Sequence, residues 1–391
     1  MAKNMNWEQS MDIYESLGLK PVINAAGTLT KFGGSRMASE VVDAMAAASR
    51  SFVVIDELHR AAGERIAGLL GVEAAHVCSS GAAGIVLMAA ACLAGRDPAR
   101  IARLPDTTGM PSRFIVQTVH RNPFDRALRL SGGQFIEIEP HLDALEQALD
   151  GSYAGEIAGV FYTFAWFCPL PALPLPVVAG TAHRRGIPVI VDAAAETPPI
   201  DNLTRFIREG ADLVVFSGGK AIRGPQASGF ILGRSDLVEA CRLNDSPNMA
   251  VGRPMKAGKE EIAGLLKAIE LYVGRDHRLD ESVWEERVGV LLDALSGLKG
   301  VRAWRQLPEG IGQQIPHLAL TWEEQAYGLN TAELVSRLIQ EEPRIAVQFV
   351  YPESYNVPEM KAYEIRIHPH TLEEGEVEIV ARRVREILEG L

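Results

Sequence analysis

Residues 212–227 read Asp-Leu-Val-Val-Phe-Ser-Gly-Gly-Lys-Ala-Ile-Arg-Gly-Pro-Gln-Ala. From 213 to 216 the chain is an unbroken apolar run, as expected of a strand covered on both faces. The run stops at Ser217-Gly218-Gly219-Lys220, and apolar character resumes at 229–232. A lysine among glycines past a core strand has two readings. It is a solvated turn residue, or it serves a bulky planar ligand that glycine lets the backbone approach closely.

Working outward, similar runs occur at 75–78, 114–119, 135–139, 158–164 and 188–192. Helical stretches at 84–93, 142–149, 176–185 and 203–209 lie between them. This alternation predicts an α/β domain with a mainly parallel sheet and helices on both sides. Ligands of such sheets sit outside the carboxyl ends of the strands. Beyond Met255 the pattern changes to helices at 256–273 and 280–298, strands at 301–305, 317–322, 345–350 and 363–367, and a helix at 332–340. A terminal helix is expected from Thr371, capped with Glu374 in a capping box, to residue 391. The expected organisation is an N-terminal segment (1–50) folding over the active site, a large domain (51–273) and a small α+β domain (274–391).

The 391 residues carry 39 Lys+Arg against 50 Asp+Glu, a net charge of −11 that disfavours broad nucleic-acid binding. A hydrophobic fraction of 47% excludes disorder as the main state. Cys78, Cys92, Cys168 and Cys241 form no CxxC pair, so neither a disulfide scaffold nor a structural metal is expected. The polar N-terminus lacks signal-peptide features, and no apolar window reaches the roughly 20 residues of a membrane helix. The expected setting is a reducing cytoplasm.

Two other strand ends carry polar residues. Cys78-Ser79-Ser80-Gly81-Ala82-Ala83-Gly84 leads into an apolar helix, so its free N–H groups and helix dipole favour phosphate. By itself this is equally a capped helix, with Ser79 or Ser80 as acceptor. Asp192 ends the run from Ile187, and by itself is a turn cap. Phosphate turn, strand-end Asp and strand-end Lys together are the set that pyridoxal phosphate requires: Lys220 for the Schiff base, Asp192 for the ring nitrogen, a helix N-terminus for the phosphate.

Phe216-Ser-Gly-Gly-Lys220-Ala-Ile-Arg-Gly-Pro225-Gln226-Ala resembles the cofactor-lysine segment of the selenocysteine synthase (seryl-tRNA selenium transferase) family. The resemblance extends to Pro21-Val-Ile-Asn24-Ala-Ala-Gly27, to 78–84 and to Arg253-Pro-Met-Lys256-Ala-Gly-Lys259, spanning 18–273. It implies an aspartate-aminotransferase-like (fold type I) large domain, a small C-terminal domain, and a homodimer or larger homo-oligomer. It also implies Ser79, Ser80, Gly81, Ala82 and Ser217 as the phosphate cup and His120 as a group stacking on the ring. For substrate it implies Arg366, on the polar face of its strand with Glu364 and His368, together with Thr28 and Arg253. Asn24 and Thr30 are further candidates for the pocket, and Lys256 and Lys259 are grouped with Arg253.

The chain departs from the tRNA enzymes at Gly219, where they carry an acidic residue, and at Arg223, where they carry glycine. Its shared part begins by residue 18, so no additional N-terminal tRNA-contacting region is expected. It is more similar to the small-molecule branch of D-glucosaminate-6-phosphate ammonia-lyase type. The implied reaction is α-proton abstraction, with Lys220 as base, and loss of a β-substituent to give a 2-keto acid and ammonia. Arg121, Arg126, Arg223 and Arg253 are candidates for a phosphorylated or polyhydroxylated substrate. The same residues would serve a racemase, with His120 or Cys168 as second acid/base, or an aminotransferase. Selenium transfer to tRNA and cofactor binding without turnover rank lower. The expected partner is a small amino acid, with neither nucleic acid nor membrane.

Overall fold

A computed structural model describes residues 13–168, 171–308, 312–349 and 364–390. Its strands are β1 (Ile23–Ala25), β2 (Ala74–Cys78), β3 (Arg113–Gln117), β4 (Gln134–Ile138), β5 (Ile157–Thr163), β6 (Val189–Asp192), β7 (Leu213–Ser217), β8 (Gly229–Gly233), β9 (Val301–Gln306), β10 (His317–Trp322), β11 (Ile345–Phe349) and β12 (Ile365–Ile367). Among the described residues they form a seven-stranded sheet, β2-β8-β7-β6-β5-β3-β4, and a five-stranded sheet, β1-β11-β12-β10-β9.

In the larger sheet β7, β6, β5, β3 and β4 run parallel, and β8 is antiparallel to both β7 and β2. Two antiparallel steps restore direction, so β2 ends on the same edge as β6 and β7. Every residue of β5 and β6 is buried, as strands with helices on both faces must be. The helix Gly81–Ala94 lies on one face and is buried almost all round. It starts three residues earlier than its apolar pattern predicts, because Ser80 caps it. Gly81 and Gly84 weaken a helix intrinsically, but here they allow contact with Ala194 and Val215 that a side chain would block. Close packing outweighs propensity.

The smaller sheet is antiparallel except that β1 pairs parallel with β11. The helices His277–Leu295, Thr331–Gln340 and Glu376–Leu388 share its core, in which Leu318, Leu320, Ile345, Ile365 and Ile367 are wholly covered. The N-terminal segment therefore enters this sheet before it reaches the Lys220 loop. There Ser35 Oγ donates to Gly219 O at 3.1 Å, and Gln226 Nε2 donates to Thr30 O at 2.9 Å.

Some boundaries differ from expectation. The run at 114–119 leaves the sheet after Gln117 and turns into a 3-10 segment, Thr118–His120. The helix expected from 256 begins at Lys259, after a separate 3-10 turn at Arg253–Met255. The terminal helix starts at Glu376, behind Gly375 at φ 79°, and not at Thr371. Thr371 sits in a 3-10 turn and gives its hydroxyl to Asn24 O at 2.6 Å, so it caps nothing. Tyr363, Val350 and Leu391, assigned to elements by the sequence pattern, lie outside the described residues. No described helix is long and apolar enough to cross a membrane.

Candidate active site

The carboxyl edge of the larger sheet gathers the residues singled out above. Asp192 ends β6 beside Thr163 of β5 and Val215 of β7. Its carboxylate is 7% exposed, and Oδ1 accepts the Ala194 N–H at 3.0 Å. Burial pushes its pKa up, against the Ala194 N–H and the charge of Lys220. Lys220 follows β7 in the loop to β8 and lines a cleft with Thr28, Pro198, Ile315 and His370. Burial lowers the pKa of this amine, while Asp192 and Glu196 hold it up. A desolvated lysine facing carboxylates is suited to reversible bonding to a carbonyl and to proton transfer.

Ser80 is extended (φ −176°), and its Oγ accepts the Ala83 N–H at 3.0 Å. The capping role is thus real, yet the hydroxyl hydrogen remains to donate. The first-turn N–H groups of Gly81 and Ala82 have no acceptor within the helix. This helix end is pressed against the strand ends: a Cβ on Gly81 would lie 2.9 Å from Ala194 Cβ and 3.9 Å from Ser217 Cβ. One on Gly229 would lie 2.7 Å from the carbonyl carbon of Ser80. Ser80, Gly81 and Ser217 thus come together where the helix N-terminus packs on the strand ends.

His120 is 2% exposed and meets Tyr162 edge-on at 4.2 Å between ring centres. Its carbonyl accepts Asn122 Nδ2 at 2.9 Å, while Nδ1 has no partner among the described residues. Burial lowers its pKa to about 4, so the ring is neutral near pH 7. Arg366 lies on the polar face of β12 as expected, bonded to Glu364 at 2.8 Å and 5.5 Å from the Trp166 ring. It is not among the residues lining the Lys220 cleft.

Of the arginines proposed for substrate, Arg223 alone lines the cleft. Arg253 is exposed on its 3-10 turn, and Lys259 is engaged with Ala48 O and Glu260. Arg121 is neutralised by Asp125 and Glu137. Asn24 bonds within its own turn, to Gly27 O and Ala26 N. Arg36 and Arg275, which sequence reasoning missed, join Arg223 in the wall. Arg36 pairs with Glu373 and Glu376, and Arg275 with Asp280, whereas among the described residues the Arg223 side chain bonds only to the Arg36 carbonyl, at 3.0 Å. Burial and Arg275 push the Arg223 guanidinium down from its usual range. Arg223 holds a left-handed φ of 60°, rare for a residue with a side chain. Glu196, also missed, is 2% exposed four residues after Asp192.

The donor set fits pyridoxal phosphate: an amine of lowered basicity, a buried carboxylate on the neighbouring strand, and a helix N-terminus that begins beside the Ser80 and Ser217 hydroxyls.

Comparison with known proteins agrees. The family model for L-seryl-tRNA selenium transferase matches residues 194–286. D-glucosaminate-6-phosphate ammonia lyase from Salmonella typhimurium is 32% identical over 97% of this chain and 98% of its own. The 5'-C-glycyluridine monooxygenase-decarboxylase of a Streptomyces species is also 32% identical, over 96% and 92%. The L-seryl-tRNA(Sec) selenium transferase of Rhizobium meliloti is 25% identical over 65% of this chain and 56% of its own. A solved structure of D-glucosaminate-6-phosphate ammonia-lyase superposes with TM-score 0.82 at 30% identity, covering 98% of this chain and 99% of that one. Serine palmitoyltransferase from Sphingomonas wittichii shares the fold, with TM-score 0.61 at 15% identity over 94% and 88%.

Proposed function

The chain belongs to the selenocysteine-synthase-like family of pyridoxal-phosphate enzymes that includes D-glucosaminate-6-phosphate ammonia lyase, and we propose that it is a lyase of that type acting on a small amino acid with a remote anionic group. The observation that carries the reading is Lys220 at the base of a cleft walled by Arg36, Arg223 and Arg275, in a chain of net charge −11.

Bound pyridoxal phosphate supplies a sink for the electron pair left when the α-C–H bond breaks. Ser79, Ser80, Gly81, Ala82 and Ser217 would hold its phosphate, Asp192 would keep its ring nitrogen charged, and neutral His120 would stack on it. Lys220 anchors it and, once released, takes the α-proton on Nζ. Loss of the β-substituent and hydrolysis then give a 2-keto acid and ammonia. Thr28, in the cleft wall, would bond the substrate carboxylate, and Arg366 would join it only by giving up Glu364 for the parallel hydrogen bonds that arginine makes. Arg223, with the least compensated charge of the three, holds the distal anion.

Arg253 is exposed, so a role for it requires a neighbouring copy of the chain. Phe52 and Met249, 103% and 83% exposed, mark apolar surface that such a copy would cover. A cytoplasmic homodimer or larger assembly follows from this reading, with a small-molecule substrate and neither nucleic acid nor membrane as partner. For a racemase, burial keeps the Cys168 thiol protonated, which leaves His120 as the second acid/base.

The Streptomyces relative supports a second reading, loss of the substrate carboxylate with oxygen consumed. Proton NMR in heavy water with D-glucosaminate 6-phosphate and a panel of D- and L-amino acids separates the two. A keto acid with equimolar ammonia supports the lyase. Carbon dioxide release with oxygen uptake selects the second reading, and Cα deuterium in both enantiomers without keto acid selects a racemase. Lys220→Ala must abolish both turnover and borohydride-fixed cofactor.

A further inference from the structure

We propose that Glu373 is a specificity-determining residue: a replaceable counter-ion on Arg36 that the distal anion of the substrate displaces in order to reach the cleft arginines. The inference rests on the anionic-substrate reading above and deepens it by naming the contact that must break.

Two carboxylates, Glu373 and Asp280, line the cleft together with its three arginines. Each is paired. Glu373 Oε1 lies 3.0 Å from Arg36 Nη1, and Asp280 Oδ2 lies 3.1 Å from Arg275 Nη1. The two pairs differ in exposure. Both side chains of the Arg36–Glu373 pair are 52% exposed, whereas those of Arg275 and Asp280 are 25% and 30% exposed. An exposed ion pair is weak, because water solvates and screens both partners, so its carboxylate is readily exchanged for another anion. The pair more withdrawn from water is harder to break, since the charge left behind is less well solvated. Glu373 is therefore the carboxylate that yields.

Arg36 does not depend on Glu373 for its place. Its Nη2 donates to Glu376 Oε1 at 3.2 Å, and the Glu376 side chain is only 17% exposed. The other Glu376 oxygen accepts the Glu373 N–H at 2.7 Å, which holds that carboxylate on the first turn of its helix. The Arg36 carbonyl accepts Arg223 Nε at 3.0 Å, so the two arginines stay together. Beyond its pair with Arg36, the Glu373 side chain makes no ion pair or hydrogen bond among the described residues. One nitrogen of the Arg36 fork is thus anchored, and the other is held by a partner that can leave. A planar guanidinium fixed in this way can pass its second nitrogen to an incoming phosphate or carboxylate without losing its orientation.

The exchange gives the cleft a preference. A substrate with a distal anion replaces Glu373 and gains Arg36 and Arg223 together. A substrate without one leaves the pair closed and meets a carboxylate in the wall.

The test is calorimetric titration of the pyridoxal-phosphate-loaded enzyme with inorganic phosphate, so that the cofactor's own phosphate site is already filled. Glu373→Gln removes the competing charge, and its Kd must fall about fivefold, the equivalent of about 1 kcal/mol. Glu373→Asp keeps the charge on a shorter arm, so its Kd falls by less. Arg36→Ala removes the nitrogen for which the two anions compete. In that background Glu373→Gln must tighten binding by less than twofold, whereas a general effect of net charge would persist. Glu64→Gln, on the helix Ile55–Leu70 and outside the cleft lining, makes the same change in net charge and must leave Kd within twofold. Phosphate bound by wild type with Kd unmoved in Glu373→Gln overturns the proposal, as does a tightening that survives Arg36→Ala. Failure of the anionic-substrate reading is a separate result: no phosphate bound by wild type or by Glu373→Gln, which removes that reading and the proposal with it.

Discussion

Gly81 and Ala194 touch so closely that a Cβ on the glycine would stand 2.9 Å from that of the alanine. One residue opens the helix of the phosphate cradle, and the other lies two positions past Asp192. On the proposed placement of the cofactor, the contact sets the distance between its phosphate and ring-nitrogen ends.

Gly81→Ala tests that spacing. Alanine favours a helix over glycine by about 1 kcal/mol, while overpacking costs about 1–3 kcal/mol. The two nearly cancel in stability but not in geometry, since the helix end must withdraw from Ala194. We expect the melting temperature to change by only a few degrees and the affinity for pyridoxal phosphate to fall at least tenfold, read by absorbance titration.

Asp192→Asn separates stability from function. The carboxyl pKa is raised on folding, so its stabilising contribution is whole below the ordinary carboxylate range and is lost as pH rises through the folded value. Asparagine can still accept the Ala194 N–H without a buried charge. The cofactor-free variant should melt higher than wild type at pH 7, and the difference should close below about pH 4. Its turnover should be at least a hundredfold lower.

Arg223→Gly removes a cleft cation at a backbone position that suits glycine. Relief of the left-handed strain is worth about 1–2 kcal/mol, so the variant should be no less stable than wild type. KM for a phosphorylated substrate should rise tenfold or more, with little change for an unphosphorylated amino acid. Equal loss on both substrates would remove Arg223 from the anion site.

Burial holds several histidines neutral: His120 and His317 to about pH 4, His59 and His370 to about pH 3. Their pKa values are depressed on folding, so the stability they contribute is whole above about pH 6.5 and is lost as pH falls toward 4. One such group accounts for on the order of 3 kcal/mol over that window. Thermal unfolding followed from pH 7 to 4 should show a steep decline, shallower in His59→Gln, since the two ring nitrogens of His59 have no partner to lose among the described residues.

The sequence made the larger sheet legible because its strands are continuous apolar runs, and every one of the seven was anticipated within a residue or two. Lys220, Asp192 and the Ser80 turn were legible because each ends such a run. Helices such as Ile55–Leu70 and Ser235–Asn244 were not anticipated, since their apolar residues are interleaved with many charged ones. β1 is three residues long, too short for a period, and its partner is distant in sequence. Glu196 follows three alanines in a segment that reads as a turn, and only the approach of Gly312 makes it a buried acid. Arg36 and Arg275 gave no signal, because the cleft joins segments far apart in the chain. The capping box at Thr371 failed because tertiary demand from Asn24 claimed the hydroxyl.

Ile23 of β1 pairs with Ile345 of β11, more than three hundred residues later. At roughly 10 residues per second, a ribosome delivers the second strand about half a minute after the first. Until then β1 is an unpaired edge on a growing chain, exposed to capture by neighbouring strands or by a chaperone. The segment just after β1 supplies Thr28 and Arg36 to the cleft, so the pocket is finished only when synthesis is nearly complete. A nascent chain stalled before residue 345 would thus carry Lys220 and Asp192 without a closed substrate site.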